Sequence, residues 1–165
     1  MFVQPNILHL LVLAGTAGAV VLFAKEARGR SLPPGRLFLA PLLALAAAVL
    51  LLAMPGPEAR DPAPWLVGLV TGAILGTVRG AFARLQVDRL YDRLRLPRGR
   101  DGLWAALLLG AVALLAFGAG LLPDGMPLEV AAATAAAACA GYLAGRAGSL
   151  WLRALSAPHH CLHRP

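Results

Sequence analysis

The chain has 165 residues, of which 59% are hydrophobic and 14% charged, and its formal net charge is +7. Charge this sparse, against about 25% in soluble domains, together with a mean hydropathy of +0.71, excludes an ordinary soluble domain and points to one embedded in a bilayer. In that setting a basic excess marks loops retained in the cytoplasm and does not call for a nucleic-acid partner.

A spanning helix needs about 20 apolar residues, because each adds about 1.5 Å across a hydrocarbon core about 30 Å thick. Five runs qualify, with expected spans at residues 7–24, 37–54, 65–83, 103–122 and 128–148. The first, "ILHLLVLAGTAGAVVLFA", contains small residues that resemble a cleavage site. It lacks a basic segment before it and carries its cationic flank after it, so it reads as a retained anchor. The second holds Pro41 near its start, which either begins the helix or bends it. The third, from Trp65, is short unless Arg79 reaches back to the interface and the helix continues to Ala83. The fourth, Leu103–Leu122, is strongly apolar. The fifth is alanine-rich and better suited to lie against protein than against lipid. Residues 1–154 thus form one five-helix membrane domain, followed by a flexible tail at 155–165.

The connecting segments alternate in charge. Of the fifteen basic residues, all but Arg60 fall on one side of this layout. That side is expected to be cytoplasmic, with the N-terminus out and the C-terminus in, in a bacterial inner membrane. Trp65, Trp104 and Trp151 lie near span ends, where aromatic residues anchor.

The third run carries Gly68, Gly72, Gly76 and Gly80, a strict four-residue repeat that forms one narrow stripe on a helix. The fifth echoes it with Ala133, Ala137, Gly141, Gly145 and Ser149. Small residues let helix backbones approach closely in lipid. The stripe is expected to pack within the chain, with a homo-oligomer as the sharper alternative. A pore is least supported, because no ring of polar side chains accompanies the glycines.

Few polar residues lie at membrane depth. His9 reads as an interfacial neutral imidazole, and a bis-histidine haem would need a second histidine at its depth. Arg79 and Arg146 are expected to snorkel from the ends of runs three and five. The tail residues His159, His160, Cys161 and His163 are weak metal candidates, since imidazole and thiolate suit zinc and copper but a short tail does not preorganise a site. Cys139 and Cys161 form no redox or disulfide motif. No cofactor is expected, and no group of titratable residues supports an enzyme.

The longest connection, Arg79–Gly102, carries Arg79, Arg84, Arg89, Arg93, Arg95, Arg98 and Arg100, which set topology and face lipid headgroups. Its "RLQV-DRLYD-RLRLP" pattern admits two readings. In a short hairpin, Leu85 and Val87 share one face, Leu94 and Leu96 another, across a five-residue loop. In an amphipathic helix, Ala83, Val87, Leu90, Tyr91 and Leu94 share a face. Asp88 and Asp92 read as ion-pair partners of neighbouring arginines.

Two segments, "GAILGTVRGAFARLQVDRLYDRLRLPRGRDGLW" and "AGYLAGRAGSLWLRAL", resemble small bacterial inner-membrane proteins of the CcdC-like kind and a related proteobacterial family of unknown function. There a glycine-rich span ends in basic residues, a short turn containing glycine leads to Leu-Pro, and Gly-Ser-Trp opens the next span. In this chain Asp92 stands at the turn glycine, and Pro97–Trp104 replaces the last motif. The resemblance implies a hairpin and brings no activity with it. Three functions follow as expectations: a non-enzymatic oligomer or complex subunit acting through helix packing, a small channel or transporter component, or a surface that binds anionic lipid.

Overall fold

A computed structural model describes residues 7–28, 33–54, 62–83, 85–88, 93–95, 100–119 and 126–156. The elements run α1 (Ile7–Ala27), a 3-10 turn (Pro34–Phe38), α2 (Leu39–Ala53), α3 (Pro62–Ala81), β1 (Gln86–Asp88), β2 (Arg93–Arg95), α4 (Asp101–Ala119) and α5 (Met126–Ser156). Five helical segments are long and apolar enough to cross a membrane. The chain is therefore a multi-pass, helical membrane protein, with one small two-stranded element among the described residues.

Helix starts follow local chemistry. Pro62 and Pro64 occupy the first turn of α3, where a missing N–H costs no helical hydrogen bond. This carries α3 three residues N-terminal to the expected Trp65. Pro41 likewise sits in the first turn of α2, entered through the 3-10 turn, so it begins that helix.

The packing scheme is uneven. Helices α1, α2, α5 and α4 form a closed ring of neighbours, α1 on α2, α2 on α5, α5 on α4 and α4 on α1. The ring is filled by small residues, with Ala19, Ala44, Ala48, Ala106, Ala113, Ala136 and Ala140 inaccessible beside Val12, Leu109 and Leu143. Helix α3 stands outside this ring. Among the described residues its one extensive interface is with α5, and this is the largest between any two described elements. The opposite side of α3 exposes Val67, Val70, Ile74 and Val78.

Backbone contact makes that interface. A side-chain carbon placed on Gly72 or Gly76 would fall inside the carbonyl oxygen of Ala138 or Tyr142 on α5. Reciprocally, one on Gly141 or Gly145 would fall inside the carbonyl oxygen of Leu69 or Ala73 on α3. At Gly68 the clash would be with the Thr134 oxygen, 2.6 Å away. The two helices run parallel in a constant register, each glycine row receiving the other's carbonyls. Such an approach is closer than the ~8–10 Å separation of ordinary helix pairs and suits Cα–H···O contacts. The stripe is thus occupied within the chain, and a second copy would need a different surface.

Helix α5 continues past the expected span end at residue 148. It has 31 residues, about 46 Å at 1.5 Å per residue, longer than the ~30 Å apolar layer. Its last turns leave the ring and carry a second core. Leu37 of the 3-10 turn, Val87 and Leu94 of the strands, and Ala147 and Leu150 of α5 bury one another there. Phe38 adds an edge-to-face contact with Trp151, 6.0 Å between ring centroids. The strands pair antiparallel with Val87 opposite Leu94. In this pairing the facing differs from the expected one: Val87 and Leu94 share the buried face, because directly opposed residues point the same way.

We expect Gly72→Ala and Gly141→Ala each to destabilise the protein by about 1–3 kcal/mol, the usual cost of overpacking, because backbone carbonyls have no rotamer to escape into. Gly110→Ala, where the added carbon meets open space, should be neutral or slightly stabilising. Reversible unfolding in mixed micelles distinguishes the two classes.

Candidate functional site

Apart from Glu129 in the first turn of α5, the described charged side chains gather at one end of the bundle, where α1, α3 and α5 finish and α2 and α4 begin. Three arrangements form there.

The first is a buried ion pair. Arg146 donates from Nη2 to Glu26 Oε1 at 2.8 Å, with the two side chains only 8% and 12% exposed. The Phe23 ring lies 6.0 Å from the guanidinium carbon, within cation–π range. Gly102 lets the first turn of α4 close over this group: an added carbon would meet the Phe23 ring at 2.6 Å and Arg146 Nη1 at 3.3 Å. The expectation that Arg146 snorkels to the interface is therefore corrected. It points into the ring and is neutralised by α1. A charge at this depth persists only when paired and hydrogen-bonded.

The second arrangement holds the hairpin end. Arg153, on the extension of α5, donates from Nη1 to the Gly80 carbonyl at 2.9 Å and to the Ala83 carbonyl. These are carbonyls at and just past the end of α3, where a helix lacks its own donors and a cation is favoured. Nearby, Ser149 donates to the Arg146 carbonyl at 3.0 Å and fills the space beside Gly80. The hairpin's Asp88 is 2% exposed.

The third is a cleft of about 540 Å³ between α3, α4 and α5, lined by Thr71, Leu75, Trp104, Leu108 and Cys139 among others. At its charged end Arg79 donates from Nε to Asp101 Oδ2 at 2.7 Å, and Tyr142 closes the base. This pair spans from α3 to the first residue of α4. Unlike the buried pair it is open, with side chains 58% and 33% exposed. Arg79 is thus exposed and partnered by Asp101. A second cleft, about 590 Å³ between α1 and α4, is lined by Leu13, Val20, Leu107 and Leu114 with Thr16 as its polar residue.

The remaining expected residues fall as follows. Arg100 is exposed, and its carbonyl accepts the Trp104 N–H at 2.9 Å. Arg93 and Arg95 lie on β2. Arg84, Arg89, Arg98 and Asp92 lie outside the described residues, as do His159, His160, Cys161 and His163. Among the described residues no group of histidine, cysteine and carboxylate side chains could hold a metal. His9 is half-buried, with its ring 4.8 Å from that of Phe117 and its Nδ1 without a hydrogen-bond partner. Thr16, Thr77 and Thr134 all donate to carbonyls of their own helices, the usual way a hydroxyl is satisfied inside a membrane helix.

The buried pair gives a clear test. Glu26→Gln and Arg146→Met alone should each cost about 3–5 kcal/mol, the range for stranding one member of a buried pair. The double variant should recover more than half of that loss, since no unpaired charge remains. Unfolding of the three variants in micelles completes the cycle.

No protein-family profile, no curated protein and no solved structure matches the chain.

Proposed function

We propose that this is a non-enzymatic subunit of a membrane complex in the bacterial cytoplasmic membrane, lying N-terminus out and C-terminus in. It works as a platform: the membrane bundle holds an arginine-rich hairpin in fixed position at the cytoplasmic face, for a partner to bind. One observation carries this reading. The hairpin is built onto the bundle through a core of its own, Leu37, Val87, Leu94, Ala147 and Leu150, and is not slack chain whose only task is to carry charge. The orientation rests on the charge asymmetry of the sequence, and the resemblance to small bacterial inner-membrane families agrees with the compartment.

The core supports a binding role over a channel. Alanines and leucines fill the ring, and its buried threonine, Thr16, is satisfied by its own helix. A conducting path needs a continuous polar lining, and in the described ring the Glu26–Arg146 pair is confined to one end and bonded to itself. The second reading is a surface for anionic lipid, favoured by the arginines of the 79–100 segment at the level of the membrane surface.

Reporter fusions separate orientation from role. An export-dependent phosphatase fused after Asp61 should be active, and a fluorescent protein fused after Arg95 should fluoresce. The opposite pattern overturns the orientation. In native gels of solubilised membranes the chain should migrate in an assembly larger than itself. That assembly should be lost in Arg89→Glu/Arg93→Glu/Arg95→Glu while the variant chain keeps its level and topology. A wild-type chain that runs only as a monomer contradicts the subunit reading, and an assembly unaffected by the charge reversal contradicts the hairpin's part in it.

A further inference from the structure

We infer that the cleft between α3, α4 and α5 is a selective phospholipid site, and that its occupant is a glycerophospholipid with a primary-ammonium headgroup. The inference requires only that the bundle spans a bilayer. It is independent of which face the hairpin occupies and of any protein partner.

The cleft differs from the other groove of similar size in how it is marked. The α1–α4 groove is apolar along its length and offers one threonine. The α3–α4–α5 cleft also has one threonine, Thr71, in a slot formed with Leu75, Ala105 and Leu108, but this slot ends at a charged pair. From Arg79 to Thr71 is eight residues of helix, about 12 Å at 1.5 Å per residue. That places the apolar slot directly below the charges, as the upper part of an acyl chain lies below its headgroup. Trp104 lines the slot, is 65% exposed and lies within a turn of Asp101, at the depth where tryptophan meets headgroups.

The pair itself chooses the headgroup. Arg79 and Asp101 present one positive and one negative group side by side, joined by a single hydrogen bond from Nε to Oδ2. A guanidinium has further N–H donors beyond Nε, and a carboxylate accepts at both oxygens. Both side chains are partly open. A phosphate would therefore meet Arg79 while an ammonium a few atoms away meets Asp101, and each charge keeps an opposite neighbour. A headgroup with a phosphate and no ammonium leaves the Asp101 carboxylate facing a like charge. A trimethylated ammonium keeps its charge but has no N–H to donate to Asp101.

Native mass spectrometry of the full chain, with phosphatidylethanolamine, phosphatidylcholine and phosphatidylglycerol of identical acyl chains, tests this. The wild-type chain should retain one phosphatidylethanolamine at least tenfold more strongly than either other lipid. Asp101→Asn and Ala105→Phe, the first removing the ammonium's partner and the second filling the slot, should each lower that retention at least tenfold. A readout in the bilayer needs no substitution in the cleft. In a Trp65→Phe/Trp151→Phe background, chain-brominated phosphatidylethanolamine should quench Trp104 more steeply than chain-brominated phosphatidylcholine at equal mole fraction. Equal retention of the three lipids, preference for phosphatidylglycerol, or equal quenching by the two brominated lipids overturns the proposal.

Discussion

Everything outside the four-helix ring depends on one contact, the backbone-to-backbone seam between α3 and α5. In lipid there is no hydrophobic drive to press two helices together, so association rests on packing and on weak polar contacts at close range. Among the described residues helix α3 has one extensive interface, and that interface consists of glycines set against carbonyl oxygens. The consequences propagate along the chain. The position of α3 sets one wall of the cleft and the place of Arg79. The end of α3 sets where the hairpin begins, and Arg153 ties that end back to α5.

A second constraint acts at the same level. Glu26 and Arg146 join α1 to α5 through the middle of the ring, and Gly102 lets α4 cover the pair. A buried pair of this kind contributes little net stability relative to apolar side chains, because desolvation offsets the attraction. It fixes register instead: with Arg146 held by α1, the rotation of α5 is set, and with it the direction in which Gly141 and Gly145 point. The seam and the ion pair thus lie on adjoining faces of one helix, with the Arg146 backbone itself beside Gly76 and Gly80, and α5 is the axis of the molecule.

Much of this was legible in the residues themselves. The five spans were marked by apolar length and the glycine stripe by its four-residue repeat, while the alternating pattern of the 84–96 segment admitted both a hairpin and a helix. What the stripe met was not legible, because the receiving groups on α5 are the backbone carbonyls of Thr134, Ala138 and Tyr142, and every residue has a carbonyl. The hairpin's facing was misread for a related reason: register depends on where the turn falls, and with Val87 paired to Leu94 the connection has four residues, not five. Arg146 was misread because a basic residue after an apolar run ordinarily ends the span, whereas its partner Glu26 lies 120 residues away in the chain. Gly102 and Phe23 could have signalled it only once α4 and α1 were known to be neighbours. The length of α5 was hidden too, since its last turns are stabilised by the hairpin and not by lipid.

The most direct test of the seam is an isotope-filtered nuclear Overhauser measurement in lipid nanodiscs. The account predicts contacts between the Hα protons of Gly72 and Gly76 and those of the α5 turn around Ala138 to Tyr142 in the uniformly labelled chain. Those contacts should vanish in a filtered experiment on mixed labelled and unlabelled copies. Contacts that appear in the mixed sample would show the glycine stripe facing a second chain and would contradict the account.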